Sequence, residues 1–541
     1  MPVLKIYFSR FQKMTGLTRE TIVDRLPFLG LDIEGEDADA IRIEYNPNRA
    51  DFSTDYGIAR ALLGLVGKEL GPPEYHVRKG RFSVRVSSSV AHVRPYISCA
   101  AATGLKMEDE TIRQLISMQE DLHNGIARRR KKAAIGLHNM DVLKPPLSYE
   151  CRPATFEFTP LGSDRKMSIR QVLGETETGI AYGHILEKAK GYPILSDSAG
   201  TVLSLPPIIN GSATKVDTST KNLLVDVTST DRRIGDEALA IICAALSDAG
   251  ATVESVEVEY TGERVVTPDL SPTTMKFDET LAKKMVGLDL DHSEMVACLG
   301  RSRLGLDKQG YAIIPRYRVD ILHPVDLAEE VAIGYGLDKI QPLYPPSKEP
   351  GSLDMTNSGL DRISESVAMA GFTETMNFDL VDATSLYSRF SRSPDLRIEV
   401  ENPRTIEHSI LRDSIVPSLM AALARNVQAA YPQRIYEVGR VFLRDGERIA
   451  ERPRLAALSA HSGSSYSEAK MYLEALLLTH TGEPPQTRPA EHWAFAEGRT
   501  AEVFVRGKSV GYIGEVRPSA VAAFGLDVPV SGFEIDLATL H

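Results

Sequence analysis

Alternation is clearest in the stretch that ends at residue 321, where Tyr311, Ile313, Pro315, Tyr317, Val319 and Ile321 fall on one side of a period-two pattern and Arg316, Arg318 and Asp320 on the other. That predicts a strand ending near Ile321. The period then lengthens. Pro324 cannot continue a ladder but suits a helix start, and Leu327, Ala328, Val331 and Tyr335 recur at helical spacing up to Gly336. The same reading toward the N-terminus gives a strand at Val3–Phe8, a helix from Thr18 to Leu29 stopped at Gly30, and a strand at Ile41–Tyr45. A helix from Thr54 onward follows, with Ile58, Ala61, Leu62 and Leu65 as its apolar stripe. Between about 80 and 262, strands at Phe82–Val86, Ala133–Leu137 and Leu223–Val227 mix with helices at Glu110–Gly125 and Asp236–Gly250. Further on the pattern predicts helices at Asp278–Val286, Ser293–Leu299, Asn357–Ala370 and Ala421–Ala430, and a strand at Arg434–Phe442.

Breaks in composition divide these elements. Gly71-Pro-Pro73 marks a first boundary, Pro268 and Pro272 punctuate a second, and Pro342 to Pro350 reads as the clearest linker. At 541 residues the chain is too long for one core, and about one domain per 150 residues gives three or four. The expected fold class is α+β multidomain, with domains at 1–75, 76–262, 263–345 and 346–541. No short-period repeat points to a solenoid.

Hydrophobic residues at 43% and charged residues at 25% exclude disordered and fibrous classes. A net charge of -11 argues against coating nucleic acid through bulk charge, so any RNA contact is local or shared with a partner. Cys99, Cys151, Cys243 and Cys298 lie far apart, which indicates neither a zinc ribbon nor a disulfide framework. The start lacks a signal-peptide core and no stretch reaches membrane-span length, so no membrane and a cytoplasmic location are expected.

Four segments carry candidate chemistry. Asp326, Glu329 and Glu330 sit at i, i+3 and i+4 of the helix begun by Pro324, and Asp320 approaches from the strand end. An all-carboxylate set without His or Cys favours a hard cation, Mg²⁺ or Ca²⁺, over zinc. The helix macrodipole alone also draws acidic side chains into an opening turn, so spacing leaves both readings open. Arg316 and Arg318 can meet phosphate or pair with these carboxylates. The basic run Arg128-Arg-Arg-Lys-Lys132, followed by Gly136-Leu-His-Asn-Met-Asp141, is a solvated turn or a phosphate contact. Leu205-Pro-Pro-Ile-Ile-Asn210 and Leu224-Val-Asp-Val-Thr-Ser-Thr-Asp231 place Asp226 and Thr228 on one face of a buried strand, while Thr228 to Asp231 can equally cap a helix beginning near Asp236. Asn48, Arg49 and Asp51 cap and cross-brace the turn before Thr54.

The segment RYRVDILHPVDLAEEVAIGYG resembles a motif of the beta subunit of phenylalanyl-tRNA synthetase, and NPNRADFSTDYGIARALLGL resembles a structural signature of that family's first domain. RRRKKAAIGLHNMD, LPPIIN and VDVTSTD together look like its archaeal and eukaryotic editing domain, and the block around RIYEVGRVF resembles a class II synthetase core. The resemblance implies an N-terminal α/β domain, an editing domain, a small helix-rich metal-carrying domain and an antiparallel-sheet core that is catalytically silent. It implies Mg²⁺ on Asp320, Asp326, Glu329 and Glu330, and an editing pocket built from Asn210, Asp226 and Thr228 that hydrolyses tyrosine misattached to tRNA(Phe). It further implies an alpha subunit that charges the tRNA using ATP, and an assembly of two alpha and two beta chains with a large apolar surface on residues 350–541. One departure bears on the core. The tail from Gly511 to Ile535 has no strand-to-helix arginine for ATP phosphates, so Arg412 and Glu437 read as structural. The rival readings are a free-standing tRNA deacylase without a synthetic partner and an inactive scaffold.

Overall fold

The computed structural model describes residues 2–344, 349–394 and 397–540. The chain separates into two compact units, Met1–Tyr344 and Pro345–His541. Part of the proline-rich linker, residues 345–348, lies outside the described residues.

The first unit contains several apolar cores. Residues near the N-terminus pair Val3–Tyr7, Ala40–Glu44 and Asp32–Glu36 into a small antiparallel sheet. Phe11, Ile22, Ile58 and Leu62 pack against Ile41 and Ile43 of the sheet. Thr18 caps the helix Arg19–Arg25, and a 3-10 turn, Leu26–Leu29, carries the chain to Gly30 in the left-handed conformation, φ 74°.

The dominant element is a ten-stranded sheet. Near one edge Leu223–Ser229 is buried at every position, between Tyr96–Thr103 and the edge strand Ala133–Asn139, both antiparallel to it. Helix Arg232–Asp248 covers this part of the sheet with Ala238, Leu239, Ile242 and Leu246. It starts four residues before the expected Asp236, because Asp231 supplies the cap, accepting from the Arg233 amide.

Residues 273–337 combine a three-stranded sheet with helices Glu279–Val286, His292–Arg301 and Pro324–Tyr335 around Leu299, Ile314, Leu327 and Val331. The last helix has the expected bounds, with Pro324 in its first turn. The strand before it does not. It covers only Tyr311–Ile314, and the residues that face inward are Ala312 and Ile314 rather than Tyr311 and Ile313. Pro315 cannot donate to a ladder, and the chain turns there.

The second unit is built on a seven-stranded sheet, antiparallel except where Thr373–Glu374 joins Gln433–Asp445. Helices Met355–Met369 and Tyr466–Thr481 share one core with one face, and Val416–Arg425 packs on the other. Leu455, Ala456, Ala457 and Leu458 are consequently all buried, which erases the alternation a one-sided strand would have. The helix expected at Ala421–Ala430 runs instead over Val416–Arg425, with Pro417 in its first turn.

Candidate functional site

A cavity of about 270 Å³ opens beside the strand Leu223–Ser229 of the large sheet, between helix Asp109–Asn124 and the segment from Ser204 to Asn210. Asp226 and Asn210 both line it. Asp226 belongs to the buried strand, and its Oδ1 lies 2.7 Å from Nε2 of His138 on the neighbouring strand. His138 is fully buried, and its Nδ1 lies 2.9 Å from the Thr214 hydroxyl. An ionised Asp226 requires the ring proton on Nε2, which leaves Nδ1 to accept from Thr214. Gly136 makes room for this pair, since a Cβ there would overlap both Asp226 Oδ1 and His138 Nε2. Thr228, two residues along the same strand, does not line the cavity. Its hydroxyl accepts from Arg94 Nε at 3.0 Å, and its carbonyl from Arg94 Nη2 at 2.9 Å. Burial pulls the Arg94 guanidinium down to about 10, so it stays cationic at neutral pH.

Three polar atoms in the cavity wall are buried and lack a partner: Ser204 Oγ, Thr178 Oγ1 and Arg130 Nε. Buried polar groups are ordinarily satisfied, so unpaired ones around one cavity mark a place for a polar ligand or water. Arg130 comes from the basic run. Arg128, Arg129 and Arg130 all have positive φ, 49°, 52° and 63°, a conformation that costs an L-residue about 1–2 kcal/mol. Arg128 and Arg129 stay exposed, while Arg130 turns inward to donate to the Ile208 carbonyl at 3.0 Å and Glu120 at 2.8 Å. Burial keeps His123, also in the wall, below its ordinary range and therefore neutral. Its Nε2 accepts from the Ile135 amide, and its Nδ1 faces Glu120.

The acidic quartet is arranged differently from a metal site. Arg318 stands among its members and donates to Asp320 at 2.7 and 2.9 Å and to Glu330. Burial acts to weaken the hold of Arg318 on its proton, but Glu330 and Asp320 outweigh it and raise the guanidinium well above its ordinary range. Asp326 accepts from the amides of Leu322 and His323 and closes a capping box at the helix start. Glu329 is exposed. The donor chemistry suits a hard cation, yet two carboxylates hold a guanidinium, one caps a helix and one faces solvent. As arranged, the four do not fit a resident ion. Among the described residues no group of three or more His, Cys, Asp or Glu side chains is placed to hold a metal.

Arg49 and Asp51 extend this charge cluster. They pair at 2.9 Å, Arg49 approaches Asp320, and Arg60 reaches both Asp51 and Asp248 while stacking on Tyr317 at 3.8 Å. They brace the turn, as their residue types suggest. In the second unit Arg412 and Glu437 form a buried ion pair at 2.6 Å, and Arg412 Nε donates to the Arg440 carbonyl. Both side chains are consumed by the fold. The strand Val530–Asp536 runs into a 3-10 turn, Leu537–Thr539.

Residues 275–337 match the family described as tRNA synthetase B5 domain, and residues 340–537 match the phenylalanyl tRNA synthetase beta chain CLM domain. The phenylalanine–tRNA ligase beta subunit of Archaeoglobus fulgidus is 39% identical over 99% of this chain and 98% of its own. Those of Methanothrix thermoacetophila and Methanocaldococcus jannaschii are 36% and 35% identical over 99% of this chain and 100% of theirs. An N-terminal fragment of the phenylalanyl-tRNA synthetase beta subunit from Pyrococcus horikoshii superposes with a TM-score of 0.60 at 31% identity, covering 62% of this chain and 99% of that one. With relatives of this similarity along its full length, the chain belongs to the phenylalanine–tRNA ligase beta subunit family.

Proposed function

We propose that this chain works with an alpha subunit that attaches phenylalanine to tRNA(Phe) using ATP, and that the cavity at Asp226 hydrolyses tyrosine misattached to that tRNA. The observation that carries the editing reading is one cavity that combines a carboxylate oriented by His138 with unpartnered hydroxyls of Ser204 and Thr178. Tyrosine differs from phenylalanine by one hydroxyl, and an apolar synthetic pocket rejects an added hydroxyl poorly, whereas a pocket with polar partners to offer selects for it. Among the described residues the wall holds no nucleophile paired with a base. Water adds to the ester carbonyl, the bond to the ribose oxygen breaks, and that oxygen leaves with a proton, releasing tyrosine and intact tRNA. Asp226 and Asn210 position the water and the substrate. Asp226→Ala should slow Tyr-tRNA(Phe) deacylation by about a hundredfold while phenylalanine charging by the complex stays within about twofold. Unchanged deacylation would reject the reading.

The alpha-subunit reading is supported by apolar side chains bared on the second unit, where Met369, Met376, Phe378 and Ile406 are each at least 75% exposed. Large apolar side chains bared this far on one unit suit a partner surface better than solvent. Phe378→Asp with Met376→Asp should abolish copurification with the alpha subunit, and a variant that still copurifies would refute their role. The assembly of two alpha and two beta chains belongs to the same proposal. No helix among the described residues is long and apolar enough to cross a membrane, and work on tRNA suits the cytoplasm. Mg²⁺ binding remains a separate proposal, because the quartet would first have to release Arg318 and the helix cap. Bound Mg²⁺ measured in the wild-type complex and in Asp326→Ala and Glu330→Ala variants tests it, and equal metal content in all three would exclude these ligands.

A further inference from the structure

We propose that the second unit holds a free α-amino acid with an aromatic or large apolar side chain, in a cavity of about 310 Å³ on the sheet face that helix Val416–Arg425 covers. This site is independent of the editing cavity and of the Arg412–Glu437 pair. Three neighbouring strands build its floor. Lys508–Val516, Val530–Asp536 and Arg448–Ala460 run side by side, and in their ladders Tyr512 stands opposite Glu534 and Asp536 opposite Arg454. Residues opposite one another share a face, as do residues two apart, so these four side chains project from one side of the sheet. All four line the cavity. A sheet face turned toward an apolar core ordinarily carries aliphatic residues, and here it carries an arginine and two carboxylates.

Most of that charge is spent within the fold. Glu534 is buried and accepts from Ser414 Oγ at 2.6 Å, from the Ile415 and Val416 amides at 3.0 and 3.1 Å, and from Arg454 Nη1 at 2.6 Å. Burial acts to raise its carboxyl, but Arg454 and Ser414 outweigh burial and hold it ionised. Asp413, also in the wall, takes both terminal nitrogens of Arg392 at 2.8 and 2.6 Å. What remains is one group of each sign. Arg454 Nε is buried without a partner, and its Nη2 makes no hydrogen bond among the described residues. Asp536 uses Oδ1 on the Ala538 amide at 2.9 Å, and its Oδ2 has no donor among the described residues. Although opposite each other in the ladder, Arg454 and Asp536 form no ion pair. An unspent guanidinium edge and an unspent carboxylate oxygen facing one small cavity suit the carboxylate and ammonium of a single zwitterion. Leu443, Trp493 and the Tyr512 ring supply apolar wall for its side chain. Two arginines against Asp413, Glu534 and Asp536 leave the wall with one negative charge in excess, which turns away a nucleotide phosphate but not a zwitterion. Ligand pockets run from about 300 to 1,000 Å³, and this one stands at the small end, with room for one amino acid.

The test is equilibrium dialysis of radiolabelled L-phenylalanine and L-leucine against the chain copurified with its alpha subunit, after a nonhydrolysable phenylalanyl-adenylate analogue has filled the synthetic site. One molecule of either amino acid should bind per copy of this chain, and each should displace the other. 3-Phenylpropionate lacks the ammonium, 2-phenylethylamine lacks the carboxylate, and AMP carries a phosphate, so each should compete at least about tenfold more weakly. Asp536→Asn keeps an oxygen for the Ala538 amide, and Arg454→Lys keeps a cation beside Glu534 while removing the guanidinium edge; each should weaken binding by about tenfold. Leu443→Trp, at a half-buried strand position, fills the apolar end and should abolish binding. Asp226→Ala should leave it unchanged, which separates this site from the editing cavity. Absence of binding at millimolar amino acid, binding that survives Leu443→Trp, binding lost in Asp226→Ala, or AMP bound in preference would each overturn the proposal.

Discussion

Replacing Arg318 by Met keeps the length of the side chain and removes its charge, which strands two carboxylates at once. In the folded chain the Arg318 side chain is 2% exposed, that of Asp320 10% and that of Glu330 7%, so little water can take over. Breaking a buried ion pair by deleting one partner costs about 3–5 kcal/mol. The loss has a ceiling, since a stranded carboxylate can take up a proton, and protonating one of ordinary acidity at pH 7 costs about 4 kcal/mol. Arg49, 4.0 Å from Asp320, softens the loss on that side. The expected loss is therefore about 4 kcal/mol at pH 7, shrinking to about 1 kcal/mol at pH 5, where protonation is cheaper. Unfolding of a chain with two units is not a single transition, so the measurement is native-state hydrogen exchange at amides of helix Pro324–Tyr335. Glu330→Gln combined with Arg318→Met should cost less than the two single changes added together. A loss below about 1 kcal/mol at pH 7, or one that does not vary with pH, would refute the claim that Arg318 holds the acidic cluster.

Gly136→Ala, by driving a Cβ into Asp226 and His138, should reduce Tyr-tRNA deacylation as strongly as Asp226→Ala with phenylalanine charging unaffected, and normal editing in this variant would show that the pair is dispensable. In the second unit, burial pushes His492 down to about 4; it stacks on Tyr512 at 4.4 Å beside Trp493, with Glu534, Arg392, Arg454 and Arg517 as the charged groups around it. The fold favours the neutral ring, so its contribution of about 3 kcal/mol is full above pH 6.5, declines as pH falls toward 4 and is lost below that. Urea denaturation followed by Trp493 fluorescence between pH 7 and 4 should show that slope, and His492→Phe should flatten it.

Several features were legible in the sequence because their causes are local. Pro324 and Gly336 bracket a helix whose periodicity fixes its face, and Thr18, Thr54 and Asp278 each cap the helix that follows. What escaped depends on residues far apart in the chain. His138 lies within a recognisable motif, but nothing near it announces Asp226, which is 88 positions away and meets it only because Gly136 and Asp226 fall opposite each other in the ladder. Ser204 precedes the Leu205-Pro-Pro motif as an unremarkable strand residue, and Thr178 sits in a short helix with no pattern of its own. Their importance comes from lacking a partner, which no sequence displays. The carboxylate spacing was correct, but spacing cannot say that Arg318, from the preceding turn, would enter among them.

The two most conspicuous motifs of the first unit turn out to be parts of one structure. Glu330, Arg318, Asp320, Arg49, Asp51, Arg60 and Asp248 follow one another as alternating acid and base, each within ion-pair distance of the next. Tyr317 lies under Arg60, and Tyr75 meets it edge-on at 6.2 Å. Four acids and three arginines leave the chain of charges with one negative charge in excess, and the arginines sit between acids, where each screens two. Removing any interior member therefore exposes two neighbours rather than one. That arrangement explains how Asn-Pro-Asn-Arg-Ala-Asp and Arg-Tyr-Arg-Val-Asp act as a brace: their charges are spent on each other across the N-terminal segment, the helix that covers the large sheet and the helix that carries the acidic quartet. Any cation bound by that quartet has to compete with Arg318, and so would be felt along the brace as far as Asp248, at the end of the helix that packs against the Asp226 strand.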